Sequence, residues 1–503
     1  MTHSPESSQS GPSVTSSPSS PSSPSLSSRF SHIARREQGL RRSLTASQMA
    51  MIAIGGAIGT GLFLGSGFAI GFAGPSVLVS YGIGALIALM LMGCLAEMTV
   101  AHPTSGSFGA YAEHYIGPWA GFLVRYAYWS CIVLAVGTEV SAIAVYMKYW
   151  FPQVPGWYWV AGFSAALVLV NAMSVNLFGA IEYGFSLIKI TAIVAFILIG
   201  AYVVFVAPGS VAGAGHTPAG FGNYTAHGGF FPKGLWGMWV AVIISIFSYL
   251  SIEMIAVAAG EAENPERAVT RAFRSTVVRL VLFYLLTLAL MLAIVPWTAA
   301  GQDESPFVKV MQAIGIPGAA GVINFVVLVA ALSSMNSQLY ITTRMMFSLS
   351  RAGYAPARFG EVNGRGVPLA ALLLSTVGIA LATLVNFLYP ESSFTFMMAI
   401  SMFGAMLTWM MIFVTHFFFR RAWRRESHAP LAFRMWGFPW LTLLGAALMA
   451  AIMLTTLFTG VFRMTLVFGV PFVALVLVIY FVWYRGRDAD RGTQPRASSA
   501  TGS

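Results

Sequence analysis

Charge is what this sequence lacks most. Of its 503 residues only 45 are Asp, Glu, Lys or Arg, 17 acidic and 28 basic, or 9 %. Soluble domains carry roughly 25 %, and so few charges cannot clothe a water-facing surface when 57 % of the chain is hydrophobic. Disorder of the whole chain is excluded for the same reason. Cysteine is nearly absent: Cys94 and Cys131 lie in separate apolar runs without CxxC spacing, so neither a disulfide framework nor a thiolate metal site is expected. No HExxH and no phosphate-binding glycine loop occurs. The eight histidines are scattered, with His102, His114 and His416 isolated near membrane edges and His32 and His428 among loop cations. An enzyme would need such a constellation or a nucleophile–base pair. The expectation is therefore no enzyme, and no cofactor, metal or ATP.

What is present is a succession of apolar segments, each long enough for the ~20 helical residues that cross a ~30 Å hydrocarbon core. They predict twelve helices, at about 48–70, 76–100, 119–149, 157–177, 180–207, 234–259, 274–297, 317–347, 368–388, 394–419, 437–459 and 464–484. The runs are continuous, which excludes the alternation of a β-barrel. Residues 1–28 hold 14 Ser and 5 Pro, no apolar run, and no Arg before Arg29. They read as a disordered tail rather than a signal or transit peptide. The domain reading is a disordered Ser/Pro-rich, basic tail at 1–42, a transmembrane domain at 43–485, and a second tail at 486–503.

The net charge of +11 would suit nucleic acid only if the cations formed a stripe. Instead, with a cytoplasmic N-terminus, 22 cations fall in cytoplasmic tails and loops: at 29–42, 267–279, 344–365, 420–434 and 485–496. Lys148, Lys233, Lys309 and Arg463 fall outside, while Arg125 and Lys189 lie within or at the edge of helices. The excess obeys the positive-inside rule for a plasma-membrane protein with both termini cytoplasmic. A nucleic-acid partner loses its support. Oligomeric state is not legible.

Six glycines fall between residues 55 and 67, in Gly55-Gly56-Ala57-Ile58-Gly59-Thr60-Gly61 and the stretch after it. Two readings fit: close helix packing through small residues, or a helix broken at mid-membrane so that its backbone faces a ligand. In a five-helix repeat, span 6 would mirror span 1, inverted. Span 6 carries Phe247-Ser248-Tyr249-Leu250-Ser251-Ile252-Glu253 near its middle, and an intramembrane Glu is costly unless paired, solvated or protonated. No Gly or Pro lies between Gly237 and Gly260, so periodicity alone predicts no break there.

Several motifs together resemble bacterial amino acid permeases of the amino acid–polyamine–organocation superfamily. They are the span 1 glycine run, Ala96-Glu97-Met98 with Pro103-Thr104-Ser105-Gly106-Ser107-Phe108, and Ala258-Ala259-Gly260-Glu261-Ala262-Glu263-Asn264-Pro265-Glu266-Arg267-Ala268 followed by Arg271-Ala272. Span 8 adds Asn324-Phe325-Val326, Asn336-Ser337, Arg344-Met345-Met346-Phe347 and Gly353-Tyr354-Ala355-Pro356. The resemblance covers about residues 40–485. In the long motif Asn264 can cap a helix that Pro265 begins, and topology and loop structure account for its cations.

The resemblance implies an all-α membrane protein of the leucine-transporter type: a 5+5 inverted repeat, at about 48–207 and 234–419, with extra helices at 437–484. Helices 1 and 6 would be broken. A substrate carboxylate would meet backbone N–H groups at the span 1 break and its ammonium the carbonyls at broken helix ends. By motif position Ala57, Gly59, Thr60 and Gly61 form the span 1 half of the site, and Phe247, Ser248, Leu250 and Ser251 the span 6 half. Phe247 is either a gate over substrate or an ordinary core aromatic. Lys189 matches the family lysine whose amine takes the place of a sodium ion in sodium-independent relatives, which favours proton coupling over sodium coupling; the alternative is a fixed structural lysine. Glu139, Glu182 and Glu253 are further candidates for proton coupling, or buried glue between helices. Glu97 reads as snorkelling or gate structure, and Arg125 as snorkelling or paired with a carboxylate.

Three departures touch the substrate side: Leu250-Ser251-Ile252 where the family often has glycine, Ala180 where many relatives carry glutamate, and Gly184 in place of a common tryptophan. The expected function is proton-coupled import of amino acids by alternating access, with an apolar or small neutral substrate preferred. An exchanger or a transporter-fold sensor stays open. A major-facilitator carrier fits less well, since its basic loop after span 2 is missing: residues 101–118 hold no Lys or Arg.

Overall fold

A computed structural model describes residues 26–37, 44–211, 219–262, 265–299, 304–426 and 430–486. They form helices α1 (Leu26–Arg36), α2 (Ala46–Ala57), α3 (Thr60–Phe63), α4 (Gly65–Ala73), α5 (Val77–Ala101), α6 (Ser107–Tyr115), α7 (Pro118–Lys148), α8 (Gly156–Met173), α9 (Val175–Phe205) and α10 (Gly234–Tyr249). There follow α11 (Met254–Ala258), α12 (Pro265–Ile294), α13 (Pro306–Ile314), α14 (Ala319–Arg351), α15 (Leu369–Ser375), α16 (Val377–Leu388), α17 (Ser393–Glu426), α18 (Trp440–Thr455) and α19 (Arg463–Ile479). Among the described residues there is no strand, only an isolated bridge of Leu44 with Ala262.

Among the described residues ten helical segments are long and apolar enough to cross a bilayer, and two shorter apolar helices, Ser47–Phe63 and Val281–Ile294, lie within other expected spans. Burial sorts them into layers. The most apolar stretch of Gly234–Glu261 is 100 % buried and that of Ser393–Arg425 89 %, against 22 % for Gly156–Met173 and for Gly460–Tyr484. Helices α7, α10, α14 and α17 thus make the core, while α8, α18 and α19 turn residues such as Leu169, Leu454 and Val467 outward. An apolar outer face is stable only where hydrocarbon replaces water.

Local chemistry sets the starts of several helices. Thr45 and Gln48 close a reciprocal capping box on α2, satisfying two N–H groups that a helix start leaves unpaired. The Ser174 hydroxyl accepts from Leu177 N–H at the start of α9. Pro118 and Pro306 open α7 and α13, where a missing N–H costs nothing. Helix α12 begins at Pro265, as its motif suggests. The expected Asn264 cap, Glu263, and the tails at 1–25, 38–42 and 487–503 lie outside the described residues.

The structure corrects two expectations and decides a third between its alternatives. Residues 26–36, placed in a disordered tail, form α1, with Phe30 buried and stacked on His102 at 4.1 Å. Arg125 does not snorkel: it is wholly buried and pairs with Glu37 at 2.9 Å and Glu113 at 2.8 Å. His416 is not isolated, since its ring bonds Glu97 and Thr442, each at 3.1 Å. Some cations assigned to topology are therefore also structural. Arg344 bonds Glu261 at 2.8 Å under the Tyr340 hydroxyl, and Arg420 pairs with Glu97.

Glu113, on α6, gives a test. Burial alone would raise its carboxyl, but Arg125 and Arg36 outweigh that and hold it below the usual 4.5. A carboxyl depressed by folding contributes stability above its unfolded value and loses it as pH falls through the folded one. Glu113→Gln should lower the unfolding midpoint by a constant amount above roughly pH 5, and the gap should close in more acidic buffer. A gap that persists at low pH would remove the ion pairs as its cause.

Candidate substrate and coupling site

The glycine run ends α2 at Ala57. Ile58 (φ −86°, ψ 88°) and Gly59 (φ −130°, ψ −152°) are extended, and the chain resumes as α3. Opposite, α10 stops at Tyr249, Leu250 is extended (φ −58°, ψ 150°), and Ser251 takes φ +80° before α11. A buried serine in the left-handed region is strained, and here a carboxylate compensates: Ser251 N–H donates to Glu253 Oε1 at 3.1 Å. A side-chain acceptor thus supports an interruption that no Gly or Pro announces.

The two interruptions touch. The Ser248 hydroxyl donates to Gly61 O at 2.8 Å and lies 2.8 Å from the Tyr81 hydroxyl. The Tyr284 hydroxyl stands 2.7 Å from Ala57 O and 2.9 Å from Ser248 O, the exposed carbonyls of both broken helices. Glycine is needed here for space. A Cβ on Gly61 would lie 2.7 Å from Ser248 Cα, one on Gly59 2.6 Å from Ser334 Oγ, and one on Gly55 would overlap the Glu182 carboxylate. The glycines thus give close packing at a helix that is interrupted.

Beside the first break, Lys189 on α9 is fully buried and donates to Gly55 O at 2.6 Å, Ile58 O at 3.0 Å and Ser333 Oγ at 2.8 Å. Its three protons are all used. The Ser333 hydroxyl also bonds Glu182, which accepts from Asn336 Nδ2 at 3.0 Å. Glu139 on α7 accepts Thr60 N–H at 3.3 Å and the Ser334 hydroxyl at 2.9 Å. One ammonium, two carboxylates and a helix break are joined through α14.

An amino acid permease family model matches residues 48–490. The chain belongs to the amino acid permease family. It is 38 % identical over 456 residues to the gamma-aminobutyric acid permease of Bacillus subtilis (strain 168), covering 90 % of this chain and 96 % of that protein. It is likewise 38 % identical over 420 residues to the aromatic amino acid transport protein AroP of Escherichia coli (strain K12), covering 83 % and 90 %. This permease is accordingly a multi-pass membrane transporter and not an enzyme.

Of the residues picked from its sequence, the permease brings Ala57, Gly59, Thr60, Gly61 and Ser248 together with Lys189, Glu139 and Glu182 around the first break. Phe247 and Leu250 are buried at the second, and the buried Ser251 hydroxyl has no hydrogen-bond partner among the described residues. Glu253 stands apart, accepting from Tyr128 at 2.7 Å and Trp409 Nε1 at 3.1 Å. Its bonds are to α7, α17 and the second break, not to Lys189. Sequence reading missed Tyr284, Tyr81, Ser333 and Ser334. The last two had a signal, because Ser333-Ser334-Met335-Asn336-Ser337-Gln338 sets five polar side chains in six residues inside an apolar span. The buried tyrosines had none.

Proposed function

We propose that this permease imports amino acids by alternating access, driven by protons, through twelve spans arranged as two inverted five-helix repeats and two trailing helices. The observation that carries this reading is the pair of touching helix interruptions with the Lys189 ammonium on the carbonyls of Gly55 and Ile58. Broken helices at membrane depth are tolerated only where their backbone is buried or lines a cavity, and they supply ligands without charged side chains. The substrate's ammonium would take the carbonyls near Ala57 and Ser248, and its carboxylate the N–H groups near Gly59–Gly61. Phe247, Leu250 and Ser251 would face its side chain, which favours an apolar or small neutral amino acid. The Lys189 amine holds a cationic position without a metal, and with Glu139 and Glu182 beside it offers groups that exchange a proton.

Uptake into proteoliposomes tests this. Labelled neutral amino acids should accumulate when the exterior is acid relative to the lumen, without sodium, and a panel of unlabelled amino acids should rank the substrate. Uptake that requires sodium, or ignores the proton gradient, would overturn the coupling. Binding without accumulation would point to a sensor, and uptake only against a preloaded amino acid to an exchanger.

A further inference from the structure

We propose that α1 with Glu37 is a latch on the face that carries the N-terminus, and that it must withdraw before substrate can leave on that side. The inference rests on the alternating-access reading.

A carboxylate following a surface helix is ordinarily solvated. The Glu37 side chain is instead completely buried. It accepts from Arg125 at 2.9 Å on α7, Thr104 Oγ1 at 3.1 Å in the loop after α5, and Ser348 Oγ at 3.1 Å on α14. Ser105 Oγ holds its carbonyl at 3.2 Å. Gly106 makes the room, since a Cβ there would overlap the carboxylate. One short segment therefore ties three separate elements. Its neighbours strengthen the tie: Arg36 pairs with Glu113 on α6, and Arg351 Nε donates to Arg36 O at 2.8 Å. The other face of α1 is apolar, with Phe30 against His102, Tyr111 and His114.

The same loop meets the second broken helix. A Cβ on Gly260, just past α11, would lie 2.6 Å from Ser105 N, and Leu44 N–H donates to Glu261 O at 3.1 Å. Backbone that Glu37 holds down is thus packed against the end of the second broken helix. A buried pair of this kind is favourable while complete and costly once one partner is removed. That makes it a contact with two states, seated or withdrawn.

The test uses Ala256→Cys, a buried position on α11, in the full-length protein; the native Cys94 and Cys131 are buried. A membrane-impermeant maleimide applied from the N-terminal face should label the introduced thiol at least about fivefold faster when Glu37→Gln is added, the ratio that about 1 kcal/mol of bias commands. Phe30→Asp, which unseats α1 without touching Arg125, should act in the same direction. If either variant unfolds, shown by its melting curve, the other carries the result. Labelling unchanged in every folded variant, or slowed, overturns the latch. Absence of amino acid uptake by the unsubstituted protein, with labelling still accelerated, would remove the transport reading and leave the latch as an opening device.

Discussion

Replacing Lys189 with Met should abolish uptake, by about a hundredfold or more, while leaving the helical fold assembled. Methionine keeps most of the buried stem and removes only the ammonium. Gly55 O and Ile58 O then lose their donor at the broken end of α2. Each stranded buried carbonyl costs roughly 1–3 kcal/mol, and about 1.4 kcal/mol is a factor of ten. Ser333 keeps its bond to Glu182, but that carboxylate and Glu139 are left in a fully buried region without the cation. Proton exchange at this cluster then proceeds without its cationic partner. The variant should therefore lose its response to an imposed proton gradient along with its rate. Melting temperature and uptake at several values of external pH decide the matter. A folded Lys189→Met protein that accumulates substrate with the original pH response would reduce Lys189 to a structural part.

How far the site could be read beforehand depended on whether the cause was local. The first break was visible because its cause is local: six glycines in thirteen residues weaken a helix by roughly 1 kcal/mol each relative to alanine. The second was implied only by the family resemblance and not by its own residues, because its cause is tertiary. Nothing in Leu250-Ser251-Ile252 forbids a helix; the turn at Ser251 stands because Glu253 accepts its N–H and is itself held by Tyr128 and Trp409. The same holds for the charges. Burial of Arg125 follows from Glu37, 88 residues away, and that of Arg344 from Glu261, 83 residues away. Counting cations by loop assigned several of them to orientation alone, since topology rules see position and not partners. The presence of many long apolar helices, by contrast, was legible, as length and hydropathy are set by the bilayer itself.

The second large effect is expected at Gly61. Alanine there places a Cβ 2.7 Å from Ser248 Cα and 3.2 Å from Ser248 N. Both are backbone atoms of α10, so no rotamer change relieves the overlap. Relief requires α3 and α10 to move apart, which breaks the bond from the Ser248 hydroxyl to Gly61 O. Overpacking of this sort costs about 1–3 kcal/mol in a well-filled core. Its larger consequence is geometric: the two interruptions no longer meet, and a ligand held by both would lose half its contacts. A misplacement of about 1 Å is enough to cost a hundredfold in systems that depend on alignment. Gly71, on α4, is the internal control, since a Cβ there meets nothing within 4 Å. Alanine at 71 should be neutral or stabilising by up to about 1 kcal/mol through helix propensity. If the glycines serve only to let helices approach, Gly61→Ala will lower the melting temperature and the transport rate in proportion, and lipid conditions that restore one will restore the other. If they form the site, Gly61→Ala will lose uptake even where the protein is restored to full stability. A Gly61→Ala protein that transports like Gly71→Ala would remove the span 1 break from the site.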